Sequence, residues 1–188
     1  MKKTFLGLLF GVLVINVQLI AQSKPFIGYD KIAWGVSAQN VRQAYSIGDD
    51  VPLEVYDEDS NITALKQKNV SDNIYERTFL FNGNKLFRVV VEYKDGSDST
   101  QSQLKGLLEQ RYGTTTGINF QSGNAGDGLF FNIPYNDTIN TFGKFAPDIE
   151  VQLIQRKYSS RTGFPPDIYV YYTWKKFWDE YQASKLGL

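Results

Sequence analysis

Ile74-Tyr75-Glu76-Arg77-Thr78-Phe79-Leu80-Phe81 and Leu86-Phe87-Arg88-Val89-Val90-Val91-Glu92-Tyr93 flank the tetrapeptide Asn82-Gly83-Asn84-Lys85. Two runs rich in β-branched and aromatic residues around an Asn-Gly pair, which accepts positive backbone torsions, predict an antiparallel hairpin. Working outward from it, Ser97 is placed to cap a helix whose Leu104, Leu107, Leu108 and Tyr112 recur at helical spacing until Gly113 stops it. On the other side, Ser37 caps a short helix running to about Tyr45, with Val36 and Val41 in the positions of a hydrophobic staple and Gly48-Asp49-Asp50 as its end.

Further strands are expected at Val51 to Tyr56, with Pro52 marking an edge, and at Ile118 to Gln121, Leu129 to Ile133, Ile149 to Tyr158 and Ile168 to Trp174. Asp57 to Asn61 reads as an acidic turn, and Lys175 to Leu186, carrying Phe177, Trp178 and Tyr181, as a short terminal helix. The fold class expected is α+β, with two or three short helices on one face of a mainly antiparallel sheet.

Lys2 and Lys3 precede an apolar run from Phe5 to Ile15, and a more polar segment ends at the small residue Ala21. This is the pattern of a signal peptide over residues 1–21, with residues 22–188 forming a single domain. The run meets Asn16 and Gln18 well short of the roughly 20 apolar residues that a membrane span requires. Cleavage near Gln22 and a periplasmic or secreted location are therefore expected, with no stable membrane insertion afterwards. The sequence contains no Cys, which excludes a lipid anchor at a lipobox and leaves the fold without disulfides. Removing Lys2 and Lys3 takes a balance of 20 basic and 20 acidic residues to 18 and 20. A domain so close to neutral offers no electrostatic attraction to nucleic acid.

The chemistry-bearing motifs are weak. Ser102-Gln103-Leu104-Lys105 and Ser71-Asp72-Asn73 match two motifs of penicillin-recognising enzymes, but in reversed order and without K-T-G. Asp57-Glu58-Asp59-Ser60-Asn61 begins like a calcium loop, yet Ile62 replaces the sixth-position Gly and Lys68 the twelfth-position Glu. Gly123-Asn124-Ala125-Gly126-Asp127-Gly128 reads as a hairpin loop, since it neither follows G-x-G-x-x-G nor opens a helix. With no His in the chain, the usual serine triad and common zinc sites are missing, and no metal or cofactor is implied. Glu54, Asp57, Asp59, Glu150 and Asp167 are the carboxylates open to a glycosidase-like pair.

One constellation stands out. Along Ile168-Tyr169-Val170-Tyr171-Tyr172-Thr173-Trp174, alternation sends Ile168, Val170, Tyr172 and Trp174 to one face and Tyr169, Tyr171 and Thr173 to the other. Pairing with the preceding strand sets Arg156 and Tyr158 beside that tyrosine pair. Tyr169, Tyr171, Arg156 and Tyr158 are thus the candidate ligand- or partner-binding residues, a rigid ring with a polar tip being suited to anchoring a protein or stacking on a sugar. The competing reading is a second small core, with Phe177, Trp178 and Tyr181 laid over the same face.

Ile32 to Tyr45, with Trp34-Gly35-Val36-Ser37 leading to Val41, resembles the helix start of the SmpA/OmlA-like outer-membrane assembly accessory proteins and of secreted β-lactamase-inhibitor proteins. It is also similar to a looser group of exported bacterial proteins with a W-G-x-S-x-x-x-V opening followed by a hairpin. The resemblance implies a helix-plus-sheet module that binds other proteins, and it transfers no functional residue. The lipoprotein Cys and the Gly-x-Pro after the first helix are absent. The resulting expectation is a non-enzymatic binding or accessory protein of the bacterial envelope, contacting a protein or glycan. A carboxylate-dependent glycan hydrolase and a purely structural envelope protein are the alternatives.

Overall fold

The computed structural model describes residues 28–57, 61–125, 133–144, 146–160 and 162–185. The signal-peptide segment therefore lies outside the described residues, as do most of the strand expected at Leu129 to Ile133 and the middle of the acidic turn. The elements in chain order are β1 (Gly28–Tyr29), β2 (Ile32–Ala33), α1 (Ala38–Tyr45), β3 (Leu53–Asp57), β4 (Ile62–Lys68), β5 (Ile74–Asn82) and β6 (Lys85–Tyr93). They continue with α2 (Asp98–Tyr112), β7 (Gly117–Ala125), β8 (Ile133–Phe142), β9 (Ile149–Tyr158), β10 (Asp167–Trp174) and α3 (Lys175–Lys185). This is an α+β chain dominated by one large antiparallel sheet, in the order β3-β4-β5-β6-β10-β9-β8-β7.

The β5–β6 hairpin sits at the centre of one half of this sheet. Its two-residue turn is Gly83-Asn84, both at positive φ (52° and 63°), while Asn82 pairs with Lys85 inside the ladder. A turn with two left-handed residues matches the strand twist, and the only bulky partner it must accommodate is Asn, which tolerates that region. Asn84 then accepts a hydrogen bond from the Ala38 amide at 3.0 Å, tying the turn to the start of α1. The Gly35-Val36 segment pairs with the same strand, Gly35 N–H to the Leu86 carbonyl at 2.8 Å and Leu86 N–H to the Val36 carbonyl at 2.9 Å.

Both caps read from the sequence are in place. Ser37 Oγ accepts from the Asn40 amide and Ser97 Oγ from the Thr100 amide. The first helix stops at Ser46, which is left-handed, two residues before Gly48. Arg42, buried on α1, donates to the carbonyls of Gly48 and Val51 and so fastens the loop beyond it.

α1 and α2 lie on the same sheet face. Val41 and Tyr45 pack with Leu65, Phe79, Phe81, Val89 and Val91, while Leu108 and Tyr112 pack with Val151, Leu153, Ile168 and Val170. Leu107, expected on the packed side of α2, is 61% exposed. α3 departs from the one-face arrangement: its Phe177, Trp178 and Tyr181 pack on Ile62, Ala64, Leu80 and Phe87, on the opposite side of the sheet.

A bulge explains how Phe87 reaches that side. Leu80 pairs with Arg88 but Phe81 with Leu86, leaving Phe87 as the extra residue. Two residues facing one break the alternation, so Phe87 joins Arg88 and Val90 on the α3 face while Leu86 and Val89 stay with α1.

The short β1–β2 pair was not foreseen, nor were two strands of the large sheet. β4 begins at Ile62, the sixth position of the calcium-loop pattern, and Ile62 is buried in the α3 core. β8 spans Ile133–Phe142, where the sequence shows Asn136, Asp137 and Asn140 in place of apolar alternation. β7 also runs to Ala125, so the start of the glycine-rich stretch is strand and not loop.

Candidate binding face

The face that carries α3 continues beyond that helix across β10, β9 and β8. Register fixes its members: Asp167 is opposite Arg156, Tyr169 is opposite Ile154 and Glu92, and Tyr171 is opposite Gln152 and Val90. One strand further, Arg156 is opposite Asp137 and Tyr158 opposite Tyr135. All four residues predicted from the sequence, Tyr169, Tyr171, Arg156 and Tyr158, lie together here. Tyr135, Asp137, Arg88 and Asp167 complete the group.

Arg156 is the electrostatic centre. Its Nε and Nη2 reach the two oxygens of Asp137, each at 2.9 Å, and its guanidinium lies 3.7 Å above the Tyr135 ring. The Asp137 side chain is 6% exposed and that of Arg156 24%, so the pair is largely withdrawn from water. A bidentate geometry of this kind fixes orientation as well as charge. Tyr135 owes its position to Gly123, because a Cβ there would fall 2.5 Å from the Tyr135 hydroxyl oxygen. The glycine of the edge strand leaves room for the ring of its neighbour.

Asp167 organises the second part. Its Oδ2 accepts hydrogen bonds from Tyr158 and from Tyr169, the latter at 3.2 Å. Burial pushes the Tyr158 hydroxyl up to about 12, with the Asp167 charge adding to the shift. Burial also raises Tyr169 and Tyr171. Glu92, which pairs with Tyr169, is raised by burial and by the nearby charges of Asp167 and Glu76.

The rings form a band. Tyr171 meets Tyr169 at 6.4 Å and 61°, Tyr158 meets Tyr135 at 6.5 Å and 76°, and exposed Phe164 approaches Tyr158 at 5.9 Å. These are tilted and edge-on contacts of the kind aromatic quadrupoles favour.

Arg88 marks the border with the α3 core. It donates from Nε to Thr173 at 3.0 Å, lies 3.7 Å over the Trp178 ring and stands 5.6 Å from Tyr171. Trp178, Phe177 and Tyr181 gather on Phe87 at 5.6 to 6.5 Å. The second small core therefore exists, but it is centred on Phe87 and meets the tyrosine band at Arg88 and at Val90, the register partner of Tyr171.

Another tyrosine assembly, unforeseen in the sequence, occupies the α1/α2 face. Tyr29 meets Tyr172 at 4.8 Å, Tyr112 meets Tyr172 at 6.2 Å, and Arg77 lies 4.8 Å from the Tyr45 ring and 5.7 Å from that of Tyr29. Burial raises Tyr172 well above the ordinary phenol range and pushes Tyr93 up to about 12. These rings lie among the residues of the two main cores, which makes them packing groups.

Among the described residues the other sequence motifs do not assemble into sites; residues 58–60, with the candidate carboxylate Asp59, and 126–128 of the glycine-rich stretch lie outside them. Ser102 donates to the Asp98 carbonyl on the exposed side of α2, and Glu54 pairs with Lys66 at 2.6 Å. Glu150 pairs in register with Thr173, six residues along β9 from Arg156. It is thus about 20 Å from Asp167 at strand spacing, too far for a glycosidase pair. Among the described residues no group of three or more acidic side chains is placed to hold a metal, and no helix is long and apolar enough to cross a membrane. The chain matches no family model, no curated protein and no solved structure.

Proposed function

We propose that this chain is a non-enzymatic binding or accessory protein, exported to the periplasm or beyond, that holds a protein partner against the tyrosine band of its sheet. One observation carries the reading: Tyr158 and Tyr169 are pinned by Asp167, and Arg156 by Asp137, outside the core that α3 closes. Side chains already fixed in one rotamer lose little entropy when a partner arrives, and Tyr and Arg are the residue types that dominate interface energetics. A broad sheet surface also suits the flat contact of a protein better than the groove in which a sugar chain is usually held.

The hydrolase alternative finds less support, because Glu54 and Asp57 on β3, Glu150 and Asp167 occupy distant parts of the sheet, Asp59 lying outside the described residues. The test is double replacement, Tyr169→Ala with Tyr171→Ala, followed by crosslinking in the native envelope. Capture of the partner is expected to fall at least tenfold, which corresponds to about 1.4 kcal/mol. Unchanged capture sinks the proposal, and a glycan recovered in place of a protein transfers the face to carbohydrate binding. The export step is read separately, by mass analysis finding Gln22 at or near the start of the secreted chain.

A further inference from the structure

The two edges of the sheet are built differently. β3 has five residues, follows Pro52, is bulged at Tyr56 and carries Glu54 and Asp57. Short length, bulges and charge are the devices by which proteins keep an edge from pairing with another chain. β7 has none of them. It runs nine residues, Gly-Ile-Asn-Phe-Gln-Ser-Gly-Asn-Ala, in unbroken register with β8, without a charge or a proline. Ile118 is 52% and Phe120 79% exposed, and alternation puts both on the same face.

We infer that β7 is a pairing edge for a second copy of this chain, adding strand to strand in antiparallel register about a two-fold axis through Asn119. The sequence is self-complementary in that register. Ile118 of one copy falls opposite Phe120 of the other and the reverse, so four exposed apolar side chains cover one another. Asn119 faces its own mate, and Gln121 falls opposite Gly117. No like charges meet, because the strand has none. A two-fold axis perpendicular to the sheet keeps the same face uppermost in both copies, so two tyrosine bands share one continuous surface. Tyr135 is level with Gly123, four residues from the axis, so it and its mate are three strand spacings apart across the sheet and eight residues apart along it, about 30 Å in all. The contact is limited to one strand and a few side chains, so it forms as a weak, concentration-dependent dimer. This inference does not depend on what the tyrosine band binds.

Sedimentation velocity on the chain without residues 1–21, from about 1 µM to about 500 µM, tests it over the range where such a dimer populates. The wild type is expected to move from monomer to dimer, Phe120→Lys to remain monomeric with an unchanged melting temperature, and Leu53→Lys on the other edge to dimerise normally. The register has its own readout, because the chain contains no Cys. Residues directly opposite in an antiparallel pair have Cα atoms about 4.5 to 5.5 Å apart, within disulfide reach. Asn119→Cys should therefore oxidise to a covalent dimer and Gln121→Cys should not. A wild type monomeric throughout the range, or a dimer indifferent to Phe120→Lys, overturns the inference and leaves the edge to an extended segment of another protein.

Discussion

The two faces of the sheet both carry tyrosines, but they hold them with a different balance of ring packing and polar anchoring. On the α1/α2 face, Tyr29 and Tyr112 both meet Tyr172, and Tyr45 packs on Phe79 while also donating its hydroxyl to Asp30, with helices above them. On the other face, Tyr158 and Tyr169 are held by their hydroxyls on Asp167, and Tyr135 by the guanidinium that Asp137 orients. Ring-on-ring packing is a way of filling space, and it works best where water is excluded. Fixing a ring by its polar tip leaves its apolar body available, which is what a recognition surface needs. The contrast is the ground on which we propose stability as the role of the first face and binding as that of the second.

The contrast is tested most severely by removing a ring from each side. Phe79→Ala should cost about 3–5 kcal/mol, because Phe79 is fully buried. Chemical denaturation of a Tyr169→Ala variant should show a loss below about 1.5 kcal/mol together with loss of the partner. Equal losses for the two would make the tyrosine band a core like the other.

Asp137→Ala comes next. It strands the Arg156 charge beside Tyr135, and the penalty, reduced because Arg156 is partly exposed, should be about 2 kcal/mol. The conservative Arg156→Lys keeps the charge but not the two-point contact, so it should recover less than half of that loss and little of the binding. Trp178→Ala lies on the border and should cost about 1–2 kcal/mol. Its effect should appear first as faster amide exchange in α3, with the band undisturbed.

How much of this was legible in the sequence follows from what each signal needs. The hairpin, both helix caps and the alternation of β10 depend on neighbours along the chain, and they read correctly. So did the meeting of Tyr169, Tyr171, Arg156 and Tyr158, because an antiparallel β9–β10 pair is enough to produce it. Tyr135 and Asp137 were hidden because β8 is polar: the buried Asp137 finds its partner in Arg156, 19 residues away. Its one sequence signal is the alternation Tyr135, Asp137, Ile139, Thr141, which Pro134 and the Asn residues mask. Arg88 and the position of α3 were out of reach for a different reason. The bulge at Phe87 shifts a side chain from one face to the other, and a period-2 pattern carries no trace of it until the partner strand is known.

The smallest expected effect compares the faces through their hydroxyls. Tyr158 on the band and Tyr93 on the helix-covered side are both pushed up to about 12 by burial. An unfolded tyrosine ionises near 10, so the unfolded chain releases these protons first. Each raised group thus contributes stability that is complete below about pH 10 and is lost as pH rises through about 12. Denaturant unfolding of the wild type should be level up to pH 10 and decline above it. Tyr93→Phe and Tyr158→Phe should each flatten that decline by up to one proton, but they should differ at neutral pH. Tyr158→Phe removes a donor to Asp167 and should cost about 1 kcal/mol or less, with weaker partner capture. Tyr93→Phe should leave capture untouched, since its ring packs between β6 and the cores beneath the helices. Capture that falls equally in both variants would mean that the faces are coupled through the sheet, and the division of labour between them would fail.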